Sequence, residues 1–92
     1  MENIRYIESQ DDYVMIYTVE GKHLKQKTMK FFESHLDPDQ FVRIHRTYIV
    51  NVEQIVQLEP YEKDSYVCVI KDGSKLKVSQ SGLKILKQRL HF

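Results

Sequence analysis

The chain has 92 residues, 41% of them hydrophobic and 29% charged, with a formal net charge of +1. That length makes one domain with one modest core, residues 1–92, and is too short for two. The lone cysteine, Cys68, excludes an internal disulfide and a cysteine-built zinc site. The N-terminus MENIRYIESQ lacks the apolar stretch of a signal peptide, and no run reaches the ~18 apolar residues of a membrane span. The expectation is a reduced, cytoplasmic protein.

Short period-2 segments separated by turn residues dominate the chain and predict strands. Ile4 to Ile7 is the first. Tyr13 to Val19, aromatic and β-branched, runs through a Glu20-Gly21 turn into Lys22 to Lys27, which reads as a hairpin. Thr28 then caps a helix with Met29, Phe32 and Leu36 on one face, stopped by Asp37-Pro38. Phe41 to His45, Tyr48 to Asn51 and Ile55 to Leu58 are three further strands. Tyr66 to Ile70 and Lys75 to Val78 flank Asp72-Gly73, which suits a type I′ turn. In the second of these, Leu76 and Val78 face one way and Lys75 and Lys77 the other. Cys68, inside the apolar run Tyr66 to Ile70, reads as a small buried hydrophobe. Ser79 or Ser81 caps a closing helix with Leu83, Leu86 and Leu90 on one face and Lys87 and Arg89 at its negative end. The class is mainly β, in antiparallel sheets, with two short helices, the last at the C-terminus.

Charge alternates along the chain. Residues 1–20 and 52–70 are acidic; residues 21–51 and 71–92 are basic. Folded onto one face, the two basic segments make an anion-binding surface; scattered, they are ordinary solvated lysines. Catalysis has little to stand on. His23, His35, His45 and His91 form no HxH or HExxH pair, no GxSxG or P-loop occurs, and Asp11-Asp12, the only carboxylate pair, points to opposite faces of a strand or lies in a solvated turn. No enzyme, metal or cofactor is expected.

The segment FVRIHRTYIVN, Phe41 to Asn51, is more informative. Alternation puts Phe41, Arg43 and His45 on one side and Val42 and Ile44 on the other, and His45-Arg46-Thr47 interrupts the run as a loop or bulge. Arg46 then projects from two anchored strands. Its planar fork can bridge guanine O6 and N7, and the Thr47 hydroxyl suits a phosphate. The plain alternative is a surface arginine beside a half-buried histidine. At the second hairpin's end, Val78-Ser79-Gln80-Ser81 leads into the helix; Gln80 can pair with adenine N6 and N7, or the segment is an ordinary capped turn.

Taken together, YIES (Tyr6 to Ser9), DYVMIYT (Asp12 to Thr18), TMKFFESHL (Thr28 to Leu36), FVRIHRTYIVN and LKVSQSGLKIL (Leu76 to Leu86) resemble the LytTR DNA-binding domain of bacterial response regulators, over about Ile4 to Leu90. The resemblance implies a domain that inserts loops into successive major grooves of double-stranded DNA carrying direct repeats, regulates transcription and sits C-terminal to a receiver domain in a two-component system. It implies possible dimerisation on DNA, with no membrane and no small-molecule substrate. It assigns base reading to Tyr13, Arg46 and Gln80, and phosphate contact or loop support to Ser9, Arg43, Thr47, Lys77, Ser79 and Lys84. Gln80 departs from the arginine frequent in the family, which favours adenine over guanine. Asp11 and Asp12 lie near one DNA-facing loop and either accept from cytosine N4 or point away. His45 is expected to orient the Arg46 loop, and Asn51 to bond the backbone where its strand ends. A β-pattern already under way at Met1 is expected of an excised segment or a stand-alone domain. Two rival classes are a β-rich module that binds protein or peptide through an edge strand, and a single-strand binder of OB type, for which the six tyrosines would have to line an exposed sheet face; most are expected in the core or at its rim.

Overall fold

The computed structural model describes residues 3–90. In chain order these form β1 (Ile4–Gln10), β2 (Tyr13–Thr18), β3 (Gly21–Lys25), α1 (Met29–His35), β4 (Phe41–His45), β5 (Tyr48–Asn51), a 3₁₀ turn (Val52–Gln54), β6 (Ile55–Pro60), β7 (Tyr66–Ile70), β8 (Lys75–Val78) and α2 (Gln80–Leu90). The strands make a five-stranded sheet in the order β3-β2-β1-β5-β4 and a three-stranded sheet in the order β6-β7-β8. All recorded pairings are antiparallel. Among the described residues no helix is long and apolar enough to cross a membrane.

Apart from the edge strand β3, whose residues are all exposed, the five-stranded sheet packs on both faces, and strand alternation sorts its side chains between them. Ile7, Val14, Ile16, Phe41 and Ile49 meet Met29 of α1, with Phe32 and Leu36 packed alongside. Tyr6, Val42, Ile44 and Val50 meet Cys68, Ile70, Leu76 and Leu86, which belong to the small sheet and α2. Full burial of a side chain such as Leu86 contributes about 1.5–3 kcal/mol, so the amphipathic face of α2 is what fastens it. Cys68 has no exposed surface, and burial pushes its thiol up to about 12.

Both helices start where their caps predict. Thr28 Oγ1 accepts from the Phe31 N–H at 3.0 Å, and Ser79 Oγ, rather than that of Ser81, accepts from the Gly82 N–H at 3.0 Å. Leu36 is already extended, with ψ 153°, one residue before Asp37-Pro38.

Two turns differ from expectation. The β2–β3 loop is Val19-Glu20, because Gly21 pairs with Thr18. The β7–β8 loop is not type I′. Ile70 donates its N–H to the Ser74 carbonyl at 3.0 Å, leaving a three-residue loop, Lys71 to Gly73, in which Gly73 donates to the Ile70 carbonyl at 2.9 Å. Gly73 alone takes positive φ there, at 92°, whereas type I′ needs it at two central residues. Ser74 N–H bonds the Asp72 carboxylate at 2.8 Å, which favours the longer loop. β1 is also longer than its apolar stretch, since Glu8, Ser9 and Gln10 continue the pairing with β2.

Candidate nucleic-acid interface

Three loops come together where β1, β4 and β8 end. The β1–β2 turn is Asp11-Asp12, both exposed, with Asp11 at φ 50°. The β4–β5 loop is Arg46-Thr47, and the β8–α2 connection is Ser79. Backbone bonds hold them in register. Ser9 N–H donates to the Thr47 carbonyl at 2.9 Å, and Ser79 N–H to the Ile44 carbonyl at 2.8 Å. Ser79 Oγ reaches the same Ile44 oxygen at 3.1 Å. Each loop is thus tied to its neighbour within a residue or two of its tip.

Gly82 makes this possible. A Cβ there would stand 2.2 Å from the Ile44 carbonyl oxygen and 2.8 Å from its Cα, so α2 lies directly on the β4 backbone. The sequence does carry a signal for this contact: a glycine inside a helical pattern lowers helix stability unless something packs against it.

Arg46 is exposed at its loop tip, while the Arg43 Nη atoms and the Thr47 hydroxyl beside it are engaged. Arg43 Nη1 makes an ion pair with Glu33 of α1 at 2.7 Å, and its Nη2 donates to the Arg46 carbonyl at 2.7 Å. Arg43 therefore braces the loop from the α1 side. The Thr47 hydroxyl, expected at a phosphate, lies 2.8 Å from His45 Nδ1, and Thr47 N–H donates to the same nitrogen at 3.2 Å. That N–H requires Nδ1 to be the unprotonated acceptor. Burial, with the charges of Arg46, Lys77 and Arg43, holds the His45 pKa below its ordinary 6.5, which keeps the ring neutral for that task.

Asn51 is buried and structural. Its Nδ2 donates to the Ile4 carbonyl at 2.9 Å, and its Oδ1 accepts from the Glu53 N–H at 3.0 Å, capping the 3₁₀ turn. This places β5 against the start of β1.

Other expected positions surround the loops. Tyr13 opens β2 just after the turn and is 42% exposed. With Ser9, Asp11, Asp12, Arg43 and Arg46 it lines one shallow concavity. Arg43, His45, Arg46 and Ser79 line a second, bordered by Glu33. Lys77 and Ser79 line a third with His45, with Tyr61, Glu62 and Ser65 of the β6–β7 loop and with Tyr66 at the start of β7. Gln80 and Lys84 share the outer face of α2 with Lys87. Lys27, Arg43 and Arg46 of the first basic stretch and Lys77 of the second thus line adjoining concavities, interleaved with Glu33, Asp11, Asp12 and Glu62. Gln80 is not free: its Nε2–H donates to the Asp64 carbonyl in the β6–β7 loop at 2.7 Å. No local signal in the sequence connects positions sixteen residues apart in this way.

The tyrosines are mostly withdrawn from solvent. Tyr6 is buried and stacks on Tyr17 with ring centroids 4.3 Å apart. The Tyr17 and Tyr48 hydroxyls both donate to Glu8, at 3.1 and 3.4 Å. Burial pushes Tyr6 up to about 12. Tyr13 and Tyr61 are exposed, but Tyr13 opens β2 and Tyr61 lies in the β6–β7 loop, so the exposed tyrosines do not share a sheet face as a stacking platform of OB type requires.

Comparison with known proteins points in one direction. Residues 1–91 match the family model described as LytTr DNA-binding domain. The chain is 33% identical over 91 residues to the sensory transduction protein LytT of Bacillus subtilis, covering 99% of this chain and 38% of that protein. It is 29% identical over 86 residues to the transcriptional regulatory protein LytR of Staphylococcus aureus strain N315, covering 94% of this chain and 35% of that one. It therefore spans well under half the length of these relatives. A solved structure from Bacillus cereus, the LytTr DNA-binding domain of a protein described as a methyl-accepting/DNA response regulator, superposes with a TM-score of 0.87 at 28% identity, over 98% of this chain and 83% of that one.

Proposed function

Since the chain belongs to the LytTR family of DNA-binding domains, which serve transcriptional regulators rather than catalyse reactions, we propose that it reads double-stranded DNA through the β1–β2, β4–β5 and β8–α2 loops. The observation that carries this reading is the junction itself. Three loops from separate elements are cross-tied by backbone hydrogen bonds, while the one arginine at a tip, Arg46, has an exposed side chain. A rigid frame with a projecting planar fork suits base-edge recognition in a major groove.

In this reading Arg46, Gln80 and Tyr13 face bases. Lys77, Lys84 and the Ser79 region face phosphates. Ser9, Arg43, His45 and Thr47 hold the loops. The target is a duplex with direct-repeat elements, on which two copies can sit side by side. In the full-length regulator a receiver domain supplies the control, and the setting is the bacterial cytoplasm. The family leaves the protein-interaction alternative without support.

Selection of bound duplexes from a random pool tests the proposal. Enrichment of a short element repeated in one orientation is expected at moderate salt. If no element is enriched, sequence-specific reading is refuted.

A further inference from the structure

The contact between Gln80 and the β6–β7 loop deepens this reading and rests on it. A glutamine amide carries two N–H donors and one oxygen acceptor. One N–H of Gln80 is directed at the Asp64 carbonyl. A flipped amide would set its oxygen against that carbonyl oxygen, acceptor against acceptor, so the contact fixes which way the amide points. The second N–H and Oε1 remain for a ligand. That donor–acceptor pair fits adenine, whose N7 accepts and whose N6 donates; guanine offers two acceptors, N7 and O6, and would oppose Oε1.

The carbonyl is aimed by its own backbone. Asp64 has φ 61°, the left-handed region that Asp, Asn and Gly tolerate and β-branched residues do not. The loop around it is closed by Tyr61 N–H to the Ser65 carbonyl at 2.9 Å and Ser65 N–H to the Glu62 carbonyl at 3.0 Å. Asp64 itself is exposed and packs no core.

We infer that Asp64 is a positioning residue for base readout: its left-handed backbone holds the Gln80 amide in the orientation that selects adenine. The β6–β7 loop thereby sets specificity at a base it does not touch.

The test uses the domain and duplexes carrying its selected element, with all four bases placed in turn at each position. Gln80→Ala identifies the position Gln80 reads by relaxing an adenine preference of roughly 5- to 150-fold, the range for a bidentate base contact. Asp64→Val is expected to relax the same position and no other, with the domain still folded and its melting temperature lowered by no more than the local backbone strain of one left-handed residue, and to add nothing to the loss of base preference in the Gln80→Ala background. Asp64→Gly and Asp64→Asn, which keep the left-handed backbone, are expected to retain the preference. Full preference in Asp64→Val overturns the inference. So does its loss in Asp64→Asn, which would assign the effect to the carboxylate. If Gln80→Ala relaxes no position while the element is still selected, the inference fails and the DNA-binding reading survives. If no element is selected at all, the reading beneath it fails first.

Discussion

Arg46 and His45 divide the work of one loop tip. Arg46 projects with its side chain exposed; His45 accepts from the Thr47 N–H and keeps the tip in shape. Replacing Arg46 by Ala is expected to cost about 1–3 kcal/mol on the selected element and much less on random duplex. Equal losses on both, measured by titration at one salt concentration, would reduce Arg46 to a phosphate contact. His45 gives a pH dependence with a definite sign. Its folded pKa lies below 6.5, so the unfolded chain takes up the proton first, and stability falls as pH drops through about 6.5 toward the folded value. Above that window both states are neutral and the ring contributes no slope. Protonation at Nδ1 would also set a donor against the Thr47 N–H. Melting temperatures measured across this range should show a drop in the wild type that His45→Asn diminishes; an identical profile in the variant would mean that other groups govern it.

Between elements, the decisive contact is α2 against β4. Gly82 allows the helix to rest on the Ile44 backbone, and Ser79 bonds the same carbonyl twice. Together these set the distance between the Arg46 loop and Gln80. A methyl group at position 82 must push the helix away, because backbone on both sides cannot yield as a side-chain end can. Gly82→Ala is therefore expected to destabilise by about 1–3 kcal/mol or more, although alanine in an exposed helix would stabilise by up to about 1 kcal/mol. A chemical denaturation midpoint at or above the wild-type value would show that the contact is slack. On the opposite side of the loop, Arg43 links α1 to β4 through Glu33 and the Arg46 carbonyl. The loop is braced from two elements at once.

For the molecule as a whole, a net charge of +1 says little, and the local arrangement says more. Lys27, Arg43 and Arg46 line the loop surface among the carboxylates of Glu33, Asp11 and Asp12, and Lys77 lines the adjoining concavity with His45 and Ser79. Binding should weaken linearly in log[salt], by about 0.9 per phosphate neutralised. Lys84→Ala is expected to reduce that slope by about one and to weaken selected and random duplexes alike. A slope near zero across a salt series would be the behaviour of a protein-binding surface.

The sequence alone determined the strand-and-helix order, the Thr28 cap and the two-faced burial of Phe41 to Ile44, because period-2 alternation, side-chain capping and proline stops act within a few residues; it left the second cap between Ser79 and Ser81. It also singled out Arg46, His45 and Asn51, although it took the family resemblance to separate Arg46 from an ordinary surface arginine. Turn details were less legible: Asp72-Gly73 fits two hairpin loops, and the choice depended on where Ser74 paired. Tertiary structure alone decided what the polar groups do once the elements meet. Arg43 went to Glu33, the Gln80 amide to Asp64, and Gly82 became the bearing surface of α2. The physical reason is range. Local rules place a donor on a face, but its acceptor in these pairs comes from another turn, strand or helix, and only packing brings the two within 3 Å.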